Sequence, residues 1–319
     1  MTRSATAGDL PDNADGCSRP HSLITGTSTG IGRATALRLA ALGHHVYAGV
    51  RHSADSPRPP DRSPGTITPI TLDVTNSAHI AAAADLVDEH TAGAGLDALI
   101  NNAGVAVSWP LELVPVELFR RQLEVNVTGQ LAVIQAFLAA VRHARGTIVV
   151  VGSVGGRITL PFAGPLNASK SAIAALAGSL RQEVAPSGVT VVLVEPGSIR
   201  TAAVDKLERD ARAALAAFPP QGRALYGQPY TATTQAALRR ERHGSAPTGR
   251  CRRHRPRHPR PPPTCPPPGR HRRTPARRRR ATADPPPGRA PAESPGTALM
   301  PSGGAPQPFP TDRSATGRP

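Results

Sequence analysis

The chain has 319 residues, 36 prolines and a formal net charge of +16, and these figures belong to two unlike stretches. Residues 1–238 carry 19 Lys+Arg against 18 Asp+Glu, whereas residues 239–319 carry 19 Arg against 4 acids and 20 of the prolines. The basic balance is a property of the last stretch, so it is no sign that the rest of the chain binds nucleic acid.

Residues 1–20 read as a disordered leader. Asp9, Asp12 and Asp15 and the lack of an apolar core argue against a secretory signal. A short strand over 22–25 then runs into a glycine-rich turn, and 31–42 is apolar at helical spacing up to Gly43. Strands follow at 45–50 and 66–74, the latter interrupted by Pro69. A helix at 78–90 and a strand at 96–100 come next, then one or two long helices across 116–144. The run 147–151 is nearly all β-branched and reads as a fifth strand. A helix over 168–184 stops before Pro186, a sixth strand covers 189–194, and 200–217 is helical. Strands without alternation, separated by helices, predict a doubly wound α/β fold with a parallel sheet buried on both faces. Ligands of such sheets bind at the carboxyl ends of the strands.

The first turn is Thr25-Gly26-Thr27-Ser28-Thr29-Gly30-Ile31-Gly32. Glycines there let the backbone approach a pyrophosphate, and a helix N-terminus offers free N–H groups. The three cysteines, Cys17, Cys251 and Cys265, show neither disulfide nor metal spacing, and no metal site is expected. No run approaches 18 apolar residues, so no membrane span and a cytoplasmic location are expected.

The Gly-x3-Gly-x-Gly spacing resembles that of the short-chain dehydrogenases/reductases, with a Rossmann-like sheet. Further motifs carry the resemblance across roughly residues 21–235. Asp73 and Val74 match the family's adenine-contacting motif, and Asn101-Asn102-Ala103-Gly104 matches the motif that braces the sheet beside the cofactor. Asn126 matches the asparagine that keeps a water in a proton relay. Ser153 matches the serine that holds the substrate oxygen, and Lys170 the lysine that holds the nicotinamide ribose. Pro196, Gly197 and Thr201 match the turn at the nicotinamide end. The resemblance implies hydride transfer between a nicotinamide cofactor and an alcohol or carbonyl. It also implies cofactor contacts at Gly26, Thr27, Ser28, Gly30, Ile31, Gly32, Asp73, Val74, Asn102, Ala103, Gly104 and Lys170.

One family residue is missing. The acid/base tyrosine stands four positions before the lysine, and Leu166 occupies that place. The tyrosines present are Tyr47, Tyr226 and Tyr230, none in register. Leucine cannot exchange a proton, so turnover is expected to fall by about 10²–10⁴-fold, the usual contribution of a positioned acid–base group. A catalytically inactive dinucleotide-binding protein is the alternative. Arg51, at the end of the second strand where an acid would favour NAD, favours NADP by pairing with a 2′-phosphate. The walls expected for the substrate, 105–115, 154–165 and 198–230, are mostly apolar and fit an uncharged, apolar carbonyl or alcohol. The family also suggests a homo-oligomer.

Residues 239–319 lack Val, Ile, Tyr and Trp and are expected to be disordered, leaving the sheet without the family's last strand. The domain is thus expected to span 21–238. Three readings of the stretch stand side by side: an inert appendage, a non-specific binder of nucleic acid or anionic lipid, or translation out of frame. The last accounts best for an Arg-, Pro-, Ala- and Gly-rich text in which the chain's two lysines are Lys170 and Lys206.

Overall fold

The computed structural model describes residues 19–247; the leader, and the basic stretch from 248 onward, lie outside the described residues. Six parallel strands form one sheet in the order β3-β2-β1-β4-β5-β6. They are β1 (His21–Thr25), β2 (His45–Val50), β3 (Thr66–Thr71), β4 (Ala98–Asn101), β5 (Thr147–Val151) and β6 (Thr190–Val194). The helices are α1 (Gly30–Ala40), α2 (Ser77–Thr91), α3 (Val116–Leu123), α4 (Gly129–His143), α5 (Gly164–Val184), α6 (Ala203–Ala217) and α7 (Pro220–Arg242). The order of the strands reverses between β1 and β4, the place where a doubly wound sheet opens a crevice for a ligand.

The expected doubly wound α/β sheet is the one observed. Pro69 lies inside β3, opposite Ala48. The bonds Thr66 N–H to His44 O and Leu72 N–H to Val50 O show that alternate residues of β3 face β2. Pro69 falls on the outward-facing set, where its missing N–H removes no ladder bond, and β3 is an edge.

The two faces are covered unequally. Helices α2, α4 and α5 pack on one face, burying Leu23, Leu99, Val133, Phe137, Ile148 and Ile173. On the other face the smaller cluster of Ile24, Ala36, Ala40, Val46, Ile100 and Val151 centres on α1. The expectation of strands buried on both faces therefore holds for β2 but not for β6, where Val192 is 38% exposed. Beyond the reach of α1, no described helix covers that face.

Helices α3 and α4 are joined by one π-helical turn, Glu124–Thr128, into a continuous helix Val116–His143. By length and composition this helix could cross a membrane. Here its apolar face packs into the main core through Val125, Val133, Ile134, Phe137 and Val141. Helix α5 starts at Gly164, earlier than the expected 168, with Pro165 in its first turn, where a missing N–H costs nothing. Helix α7 runs through the boundary expected at residues 238/239. Its end is tied back where Arg200 N–H donates to Ser245 O (2.9 Å) and Ser245 N–H to Ser198 O (3.1 Å), so the ordered fold extends beyond that boundary.

Among the described residues β6 is the second edge. Thr190 N–H bonds to Gly146 O and Val194 O accepts from Gly152 N–H, so the polar groups of Val191 and Leu193 face outward. The Arg181 guanidinium covers this edge by donating from Nε to Val191 O at 2.9 Å. A charged side chain on an edge carbonyl discourages strand addition. Arg181→Ala is expected to cost about 1 kcal/mol of stability and to raise self-association in sedimentation velocity; an unchanged distribution would show that Arg181 does not guard the edge.

Candidate active site

The β1–α1 turn is built for close backbone approach. Gly26 and Gly30 adopt φ of +69° and +60°, open to glycine and strained for other residues. A Cβ on Gly32 would lie 2.3 Å from Gly26 O and 2.5 Å from Asn102 Nδ2. Thr27 anchors the turn to β2, donating to Gly49 O from its N–H (3.0 Å) and its hydroxyl (3.1 Å). Helix α1 has no side-chain cap at Thr29, which leaves its first N–H groups open to an anion. Ser28 and Ile31 are half-buried beside it. The glycine cradle and the uncapped helix fit a pyrophosphate.

The loop after β4 braces this turn. Asn102 Nδ2 donates to Thr25 O (2.9 Å) and Gly26 O (3.0 Å). The backbone N–H groups of Asn102 and Ala103 both donate to Thr25 Oγ1 at 2.9 Å. The side chain of Gln130 in α4 donates to Ala103 O at 2.9 Å, and Asn101 donates to Gln130 O at 2.9 Å. Gly104 completes the loop. A Cβ there would sit 3.3 Å from Asn126 Oδ1 and 3.8 Å from Lys170 Nζ, which places both side chains over one spot.

Asn126 is fully buried in the π-helical turn. Its Oδ1 accepts from Val105 N–H (2.8 Å), and its Nδ2 donates to Val105 O (2.9 Å) and Ser169 Oγ (3.1 Å). Lys170 is 8% exposed and donates from Nζ to Val151 O at 2.8 Å. Burial pulls its ammonium down to about 8, so it remains mostly protonated at neutral pH. Ser153 follows β5, and its Oγ accepts from Gly155 N–H at 3.0 Å, capping a short 3₁₀ turn. The hydroxyl proton is not used in that bond and remains available to a substrate oxygen. Leu166 is half-buried in the first turn of α5, and its carbonyl accepts from Ser169 Oγ at 2.9 Å.

At the far end of the crevice, Arg51 is exposed at the end of β2. Asp73 Oδ1 accepts from the N–H (2.9 Å) and hydroxyl (2.8 Å) of Thr75. Burial pushes the Asp73 carboxyl up, but the Thr75 bonds and the charges of Arg121 and Arg51 outweigh it and hold it below the usual range. Val74 is buried beneath. Pro196 and Gly197 follow β6, where Pro196 O accepts from Val154 N–H at 3.0 Å. Thr201 lies against the first turn, its side chain 3.5 Å from where a Gly30 Cβ would be.

Both late tyrosines are engaged elsewhere. Tyr230 is 1% exposed and donates to Ser108 O at 2.9 Å, packed with Trp109, Phe162 and Phe218. Tyr226 bonds to the Glu112 carboxylate, and that bond raises its hydroxyl above the usual range. Both tyrosines belong to an apolar cluster with Trp109, Phe162 and Phe218.

The sequence reading passed over Gln122, Asn167 and Ser169. Gln122 is fully buried, and its Nε2 donates to Val105 O (2.8 Å) and Ser169 Oγ (3.1 Å), the same two acceptors that Asn126 uses. The signal was the i, i+4 spacing of Gln122 and Asn126 on one helix face. Asn167 pins the loop before α5, donating to Gly155 O (2.6 Å) and Ile158 O (2.9 Å).

The short chain dehydrogenase family model matches residues 20–212. The chain belongs to the short-chain dehydrogenase family. An NADPH-dependent 3-dehydrocapnine reductase from Ornithobacterium rhinotracheale is 35% identical over 57% of this chain and 66% of its own. Human retinol dehydrogenase 16 is 36% identical, covering 66% of this chain and 67% of its own. Rabbit 11-beta-hydroxysteroid dehydrogenase type 2 is 34% identical over 65% of this chain and 53% of its own. This short-chain dehydrogenase thus spans about half to two thirds of the length of these relatives. Among solved structures, a short chain dehydrogenase from Burkholderia cenocepacia in complex with NADP is 32% identical, with a TM-score of 0.51. That match covers 63% of this chain and 77% of the other.

Gln122→Leu removes two donors and leaves Val105 O and Ser169 Oγ short of partners. The expected loss is about 1–3 kcal/mol in urea unfolding, with Gln122→Glu failing to restore it because a carboxylate has no N–H to give. A loss below about 0.5 kcal/mol would show that Asn126 alone suffices.

Proposed function

We propose that this chain is an NADP-dependent oxidoreductase for an apolar alcohol or carbonyl, impaired in turnover by Leu166. The observation that carries the reading is the convergence of Asn126 and Lys170 over Gly104, with Ser153 two residues past the Val151 carbonyl that holds Lys170, and a leucine at position 166. When bound, the nicotinamide supplies the hydride acceptor or donor.

The remaining work falls to the chain. Uncapped N–H groups of α1 would hold the pyrophosphate, and Arg51 would pair with the 2′-phosphate. The Lys170 ammonium would bind the nicotinamide ribose hydroxyls. Ser153 would donate its proton in a hydrogen bond to the substrate oxygen, favouring charge there. The apolar wall of Trp109, Phe162, Phe218 and Tyr230 would exclude water and favour an apolar substrate. The relatives named as a retinol dehydrogenase and a hydroxysteroid dehydrogenase support that choice.

A second reading is a dinucleotide-binding protein without turnover, favoured by Leu166 itself. Nothing in its half-buried side chain moves a proton, and Tyr226 and Tyr230 are held by Glu112 and Ser108. A cytoplasmic location and a homo-oligomer remain part of the proposal.

NADPH binding and carbonyl-dependent NADPH oxidation, measured on the wild type beside Leu166→Tyr, separate these readings. The expected result is binding in both, with turnover about 10²–10⁴-fold higher in the tyrosine variant. Comparable turnover in the wild type would mean that another group moves the proton, and absence of binding would sink the cofactor reading.

Arg51→Asp is expected to weaken NADPH binding about 10- to 100-fold, the worth of a charge-assisted hydrogen bond, with little loss for NADH. Equal effects on both would remove Arg51 from the cofactor choice.

A further inference from the structure

At the end of the sheet opposite the crevice, the chain gathers histidines that the proposed reaction does not use. His45, the first residue of β2, is 4% exposed. Its two ring nitrogens lie 3.0 Å from Thr66 Oγ1 and 3.1 Å from Thr68 Oγ1, both on β3. A neutral imidazole has one donor and one acceptor nitrogen, so one threonine accepts from the ring and the other donates to it. The side chain thus clamps the edge strand β3 to β2, beside the backbone ladder.

Around this clamp stand mostly groups that oppose a positive charge. His21 of β1 has its ring centroid 5.4 Å from that of His45, and its Nδ1 lies 3.0 Å from the Tyr47 hydroxyl. His90, at the end of α2, is 6.5 Å away by the same measure, and Tyr47 is 4.6 Å away. His44 precedes the clamp and bonds to Ser22 Oγ at 2.8 Å. Arg19 adds a fixed positive charge. The acid that acts on the cluster is Asp97. It accepts from the His21 backbone N–H at 2.7 Å and favours charge on His21 and His44.

We propose that this cluster is an acid-sensitive latch that releases the β3 edge from β2 as the pH falls below about 6, the range in which histidine titrates. On protonation both His45 ring nitrogens become donors, so the threonine hydroxyl that donated to the ring must rotate to accept instead, and the new charge is shut away from water beside His21, His90 and Arg19. Burial first, and then those three positive or titratable neighbours, lower the ring from its ordinary 6.5 to about 4. The sign follows from linkage. The depressed value means that the opened state binds more protons between 6.5 and 4, so the latch holds fully above 6.5 and weakens as the pH falls towards 4. Those two values correspond to a loss on the order of thirty-fold in the closing constant between pH 7.5 and 5.0. The two strands pair in register from His45–Thr66 to Val50–Thr71, and their far ends lead to Arg51 and Asp73. Release therefore loosens the crevice end as well, although the latch stands whether or not NADP binds there.

Hydrogen exchange read by mass spectrometry on the whole chain tests the latch. Rates at pH 7.5 and 5.0, corrected for intrinsic chemistry, are compared between the wild type and His45→Gln, whose amide keeps both hydrogen-bonding roles without titrating. The expected result is a loss of protection on the order of thirty-fold over residues 45–50 and 66–71, with β4 and β5 changing much less, and a flat response in His45→Gln. Equal loss in the variant, or loss spread evenly over all six strands, would overturn the proposal. Should His45→Gln fail to fold, the contrast among strands in the wild type decides it.

Discussion

The approach of Gly32 to the Gly26 carbonyl and the Asn102 amide is the constraint on which the crevice depends. A Cβ at Gly32 would sit within 2.5 Å of both groups, so the first turn, the start of α1 and the loop after β4 are locked at one spacing. Asn102 closes the lock by donating to Thr25 O and Gly26 O. Because β1 and β4 are neighbours at the reversal of strand order, this one contact both opens the crevice and fixes its floor. The anion-facing N–H groups of α1 and the loop carrying Gly104 inherit their positions from it.

From that floor, order passes to the chemical end through buried amides. Gln130 holds Ala103 O, and Asn126 with Gln122 holds Val105 and Ser169. Ser169 in turn bonds to the carbonyl of Leu166 and is followed by Lys170. The scaffold that would hold a proton-transferring side chain at position 166 is thus fully built, with every acceptor of the Ser169 hydroxyl filled. On the proposed reading, a leucine side chain on this scaffold would separate holding a dinucleotide from moving a proton.

The opposite end of the molecule is governed by different physics. There the sheet edges are managed rather than paired. Pro69 turns its missing N–H outward on β3, His45 clamps that strand, and Arg181 covers a carbonyl of β6. Among the described residues the face beyond α1 is the less covered one, with Val192 38% exposed.

Most of the architecture was legible in the sequence because it rests on local signals: apolar runs set the strands, helical spacing set the helices, and glycine spacing marked the turn. Residue identity alone also determined that position 166 has no proton to exchange. Boundaries were less legible. The first turn of α5, at Gly164, lies against Leu111 and that of α7, at Gly222, against Leu113, contacts between residues far apart in the chain. Gln122, Ser169 and the histidine latch were hidden for the same reason, since a buried polar group is recognisable only by the partner it meets. The sequence by itself thus determined the fold class, the glycine cradle and the leucine at position 166, all properties of short segments. Only the tertiary structure decided which polar side chains share acceptors and which imidazoles lose water, because hydrogen bonding and desolvation depend on neighbours that chain order does not supply.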